Sequence, residues 1–71
     1  MLGIKEKLKE VMAYFDETFP KLAEYLGISY QALNKKVNGQ SDFKLGEIIK
    51  IKERYGLSME EIEFIFFSQE G

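Results

Sequence analysis

The sequence predicts an all-α fold, a compact bundle of five short helices. Three observations point there. Apolar residues recur at helical spacing, as in Ile4, Leu8, Val11, Met12 and Phe15, which is one face of an amphipathic helix. Gly27, Gly39 and Gly56 interrupt the apolar runs, at places where a helix end favours a residue tolerant of positive φ. Ser29 and Ser58 stand just before the next runs, where a side-chain oxygen can meet the free N–H groups of a helix start.

Composition sets the limits within which those elements work. A chain of 71 residues is expected to form a single domain, 1–71. At 45% hydrophobic and 31% charged residues it belongs with globular rather than disordered chains. It has no cysteine, which excludes a disulfide framework and a thiolate metal site. It has no histidine either, so the commonest general base and metal ligand is missing. No apolar run approaches the roughly 18 residues that a membrane span needs. The N-terminus also lacks the apolar core of a signal peptide. The expectation is a cytoplasmic protein with no membrane partner, no small-molecule substrate, no cofactor and no metal.

The first helix is expected from about Gly3 to Glu17. Lys5, Glu6, Lys7, Lys9 and Glu10 occupy the faces away from the apolar stripe, and their mixed signs suit a solvated surface better than a lipid one. A short second helix follows, with Leu22, Ala23 and Leu26 as its apolar stripe and Thr18 as its cap. Pro20 lies in its first turn, where the missing N–H would have had no helical partner. Gly27 ends it, Ile28 turns back toward the core and Ser29 caps a third helix over 30–37, which buries Leu33 and Val37 one turn apart. Asn38-Gly39 closes that helix with a turn signal. Two short helices joined by a tight glycine turn, the second with an exposed polar face, make a helix-turn-helix spanning 19–39.

Gly39 to Asp42 reads as a turn cluster, with Phe43 inserted into the core. A fourth helix begins at Leu45 and ends near Tyr55, with Leu45, Ile48 and Ile49 on its buried side. Ser58-Met59-Glu60-Glu61 is a capping box opening a fifth helix over 59–67, with Met59, Ile62 and Ile65 or Phe66 facing inward. Phe64-Ile65-Phe66-Phe67 cannot all lie on one narrow helical face. One account leaves Phe64 partly exposed and wedges the others under the first helix. A second makes Phe64, Phe66 and Phe67 a homodimer contact, since surplus apolar surface on a small protein marks an interface. Edge-strand pairing is a lesser third.

The motif resembles the Cro/CI-type (lambda-repressor-like) helix-turn-helix of phage and bacterial transcription regulators. The residues that carry the resemblance are Ala23, Gly27 four positions later, Leu33, the phrase Leu26-Gly27-Ile28-Ser29 and the closing Asn38-Gly39. The stretch from Phe43 to Ile48 through Ile65-Phe66-Phe67 is similar to small phage and prophage proteins of Gram-positive bacteria. Phe19 and Pro20 stand where many members begin the motif with glutamine, so one expected phosphate contact is absent.

What the resemblance implies, together with the geometry of a helix in a major groove, is a DNA-reading third helix. Ser29, Tyr30, Gln31, Asn34 and Lys35 are then the candidates for base edges. Gln31 and Asn34 have the donor–acceptor pair that matches adenine, and Lys35 suits guanine or phosphate. Lys36, Asn38 and Lys44, with the N–H of Gly39, are the candidates for backbone phosphates. Net charge is −2 with a pI near 5.1, unusual for a nucleic-acid binder. The charge is unevenly spread, however. Residues 19–44 sum to +2 and residues 58–71 to −4, and docking depends on the local potential.

Glu60 and Glu61 read as helix-start residues rather than a catalytic pair, and no nucleophile–base pair or phosphate loop is present, so no enzyme is expected. The leading expectation is a sequence-specific transcription regulator that binds operator DNA as a homodimer. The alternative is a phage antirepressor or modulator that uses the same fold to bind a repressor protein.

Overall fold

The computed structural model describes residues 3–67. Among them the chain is all-helical, in five helices. Glu70, which contributes to the acidic C-terminal balance, lies outside the described residues.

The first apolar stripe folds into α1, Ile4–Tyr14. Its start is held by the Glu6 carboxylate, which accepts the Gly3 N–H at 3.0 Å. It ends about one turn before the expected Glu17. Asp16 takes a left-handed φ of 56°, and the Glu17 N–H returns to the Met12 carbonyl at 2.9 Å. Phe15, expected on the buried stripe, is therefore half-exposed, with its ring 5.3 Å from that of Tyr55.

α2 is Phe19–Leu26, with Thr18 Oγ1 accepting the Lys21 N–H at 3.4 Å and Pro20 in the first turn. Gly27 ends it at φ 76°, and the Ile28 N–H closes the turn on the Ala23 carbonyl at 3.0 Å. Ser29 Oγ then accepts the Ala32 N–H at 3.0 Å and opens α3, Tyr30–Val37. α4 spans Leu45–Tyr55. α5, Met59–Ile62, opens with the reciprocal Ser58–Glu61 box at 3.1 and 2.8 Å.

Leu8, Leu22, Leu33 and Ile51 are the fully buried centre, one from each of α1 to α4. Ala23, Leu26, Val37 and Ile48 are buried around them as predicted, and Ile28 and Phe43 pack partly buried against the same core.

Three further expectations need correction. On α4, Ile48, Ile51 and Tyr55 are buried together with Glu47, while Leu45 and Ile49 are 72% and 45% exposed. At 100° per residue the inward face is centred between Glu47 and Ile48, and an ion pair described below accounts for that phase. Met59, expected inward, faces solvent. The aromatic run resolves itself by widening: Glu63–Phe67 continues α5 as a π-helical turn. That turn buries Ile65 and Phe66 and leaves Phe64 and Phe67 outside.

Candidate nucleic-acid interface

α3 has its apolar side fixed first, and the exposed side follows. Leu33, Lys36 and Val37 face the core. At 100° per residue, Gln31 and Lys35 then stand one turn apart on the opposite side, with Tyr30 and Asn34 flanking them. Tyr30, Gln31 and Lys35 are exposed and Asn34 is half-buried. Ser29 lies at the tip of the same face. Its hydroxyl oxygen is occupied by the Ala32 N–H, but its proton is still available to an acceptor. All five expected base-reading residues thus share one continuous surface at the N-terminal half and outer side of α3.

The expected phosphate contacts fare less well. Lys36 is buried, 8% exposed. Its ammonium donates at 3.0 Å to both Glu47 Oε1 and the Asp42 carbonyl, so it cannot reach a phosphate. The Gly39 N–H is likewise spent, on the Lys36 carbonyl at 3.2 Å. Asn38 ends α3 and is exposed, as is Lys44. Lys44 gives only its backbone N–H inward, to Glu47 Oε1 at 2.8 Å, and its ammonium is left at the surface. Lys21, on α2, is also exposed.

The Lys36–Glu47 pair therefore joins three pieces: the end of α3, the loop at Asp42 and the start of α4. Burial pushes its carboxyl up. The Lys44 N–H and the Lys36 ammonium outweigh that and hold it below its ordinary value. The pair was legible in principle. Lys36 falls between Leu33 and Val37 on the apolar face of its helix, and Glu47 precedes Ile48 on the apolar face of the next. Opposite charges on two inward faces in consecutive helices are a pairing signal.

A second polar cluster orients α2. Glu17 Oε1 accepts from Arg54 Nε at 2.7 Å and from the Tyr55 hydroxyl at 3.2 Å. The Arg54 guanidinium lies 4.4 Å from the centre of the Tyr25 ring on α2. The Arg54 hydrogen bond holds the Glu17 carboxyl below its usual range. Burial and the Glu17 carboxylate push the Tyr55 phenol up to about 12, so Tyr55 stays a proton donor. The helix-turn-helix is thus fastened to α4 twice, through Arg54 at α2 and Glu47 at α3.

The three residues expected at a dimer contact are divided. Phe66 is a core residue, its ring edge-on to Phe43 at 5.0 Å. Phe64 and Phe67 are exposed. Lys7, expected on a solvated face, is buried. Its ammonium donates to the Phe64 carbonyl at 3.0 Å and lies 4.5 Å from that ring's centre. Among the described residues no group of acidic, histidine or cysteine side chains is placed to hold a metal ion, and no helix is long and apolar enough to cross a membrane. No family model matches the chain, and neither does any curated protein or solved structure.

Proposed function

We propose that this protein is a sequence-specific DNA-binding regulator of transcription, resembling the Cro/CI type, that reads an operator major groove with α3. The observation that carries the reading is the surface of Ser29, Tyr30, Gln31, Asn34 and Lys35. It lies on the second helix of a glycine-turned helix pair whose other side is pinned to the core. A B-form major groove admits one helix, and amide and ammonium groups at its leading half match base edges. Lys21, Lys35 and Lys44 supply exposed charge for phosphates around it. One α3 covers a short half-site, so operator affinity on this reading comes from two copies one helical turn apart on the duplex.

The test is a mobility shift on the DNA flanking the gene, followed by selection from random duplexes. Gln31→Ala is expected to weaken specific binding by about 1–3 kcal/mol and to relax preference at one base pair. A folded wild type that binds no duplex above competitor DNA would falsify the reading. A second reading, a modulator that binds a repressor protein, is favoured by one observation: Lys36, which a DNA binder would use on phosphate, is withdrawn into the core.

A further inference from the structure

The stretch from Leu57 to Phe67 contains Glu60, Glu61 and Glu63 and no lysine or arginine. The ion pairs among the described residues are Lys36–Glu47 and Arg54–Glu17, so none of these three carboxylates is neutralised there. Glu61 is partly used, since it accepts the Ser58 N–H. Glu60 and Glu63 are exposed beside Met59, Phe64 and Phe67, which are 69%, 54% and 57% exposed. Two shallow depressions run along this face. One, of about 340 Å³, is lined by Met59, Ile62 and Phe67 with Glu60 and Glu63 at its edge. The other, of about 480 Å³, lies among Glu60, Glu63, Phe64 and Phe67. Three large apolar side chains rimmed by carboxylates on so small a protein mark a contact surface.

Charge decides the occupant. A second copy related by a two-fold axis would bring its own Glu60 and Glu63 to this element, with no ammonium from the same element to offset them. Head-to-tail contact would bring a lysine-bearing face, but it would assemble rings or open filaments rather than the two-fold dimer that a pair of operator half-sites calls for. Anionic lipid is repelled by the same carboxylates. Lys7 does not relieve the rim, because its ammonium is turned inward to the Phe64 carbonyl and the underside of the ring. The geometry points to a docking surface for a cationic amphipathic segment of another protein. Its apolar side chains would lie between Met59, Phe64 and Phe67, and its lysines or arginines would meet Glu60 and Glu63 in charge-assisted hydrogen bonds. No residue of α3 lines either depression, so the surface is separate from the helix that reads DNA and does not depend on that reading.

The experiment uses the full chain, isotope-labelled, titrated with two synthetic amphipathic helices of equal leucine content, one carrying lysine and the other glutamate. The lysine peptide is expected to shift the amide resonances of residues 59–67 saturably, and the glutamate peptide to leave them in place. Reversing the rim with Glu60→Lys and Glu63→Lys, both at exposed positions, should weaken the lysine peptide at least tenfold, about 1.4 kcal/mol. Phe67→Ser should weaken it as well. Circular dichroism checks that the variants remain helical, and where one does not, the wild-type shift map alone decides. Shifts confined to a separate hollow, lined by Val11, Tyr14 and Phe15 of α1 and its C-terminal end with Tyr55 and Leu57, or equal response to both peptides, overturn the proposal. So does a wild type that sediments as a dimer and becomes monomeric on Phe67→Ser. Duplex binding by the same variants is scored separately, so failure here is distinguishable from failure of the DNA reading.

Discussion

Lys36 and Glu47 each hold an inward position on their helices, and neither has an apolar substitute's freedom to slide. The ammonium sits 3.0 Å from the carboxylate, and the two side chains are 9% and 11% exposed. Burying the charges costs several kcal/mol per ion, which attraction offsets only when the remaining hydrogen bonds are filled. Here the Asp42 carbonyl and the Lys44 N–H fill them. Lys36→Met should therefore cost about 3–5 kcal/mol, because it strands a buried carboxylate. The double change Lys36→Met with Glu47→Leu should recover most of that loss, since the stranded charge goes with it. Urea unfolding of both variants checks this. Acid should weaken the same pair. The Glu47 carboxyl is held below its ordinary value of 4.5, so its stabilisation is complete above that value. It is lost as pH falls through the lower folded-state value. Stability below about pH 5 should fall less steeply in the double variant than in the wild type. A stranded Lys36 variant as stable as the wild type would show that the pair contributes nothing. This residue-level fact was readable from helical phase. A lysine between Leu33 and Val37 looks like a phosphate contact only when the motif is considered before the face it lies on.

At the scale of elements, local chemistry carried most of the boundaries. Glycine turns and serine caps act within a few residues, so α2, α3 and α4 begin and end where the caps and stops put them. What local chemistry could not supply was rotation. α4 offers Leu45, Ile48, Ile49, Ile51 and Tyr55, apolar positions spread over about 160° of its circumference, wider than the face it buries, so periodicity alone does not choose which of them turn inward. The choice fell to the buried Lys36–Glu47 pair, which a count of apolar positions alone passes over. The π-helical end of α5 is similar in kind. A four-residue apolar run overfills an α-helical face, and a wider turn lets Ile65 and Phe66 both point inward. The joint between α2 and α3 tests the cap argument directly. Gly27 holds φ 76° and faces open space where a side chain would begin, so Gly27→Ala meets no clash and its cost is conformational, about 1–2 kcal/mol. Gly46, inside α4 with equally open space, should behave oppositely. Gly46→Ala should stabilise by about 0.5–1 kcal/mol. Parallel urea titrations measure both. Equal effects of one sign would mean that left-handed backbone at Gly27 is not what sets the turn.

For the whole molecule, the distribution of charge matters more than its sum. The core list was largely legible because burial follows apolar periodicity. The free cationic charge of the helix-turn-helix was not, because a lysine's sequence position does not say whether its ammonium is free. With Lys36 tied to Glu47 and Arg54 to Glu17, the exposed cations around the helix-turn-helix reduce to Lys21, Lys35 and Lys44. Each phosphate neutralised on B-form DNA contributes about −0.9 to the slope of log affinity against log salt. If all three contact phosphate, the slope is about −2.7 per copy. Lys35→Ala and Lys44→Ala should each flatten it by about 0.9. The paired change at Lys36 and Glu47 should leave it unchanged, since the ammonium it removes never faced the duplex. Binding isotherms over a range of salt, with each variant confirmed folded, give the slopes. A slope that falls when Lys36 and Glu47 are replaced together would mean that the ion pair opens on DNA and that Lys36 turns outward to a phosphate. The rigid connection from α3 through Glu47 to α4 would then be a feature of the free protein alone.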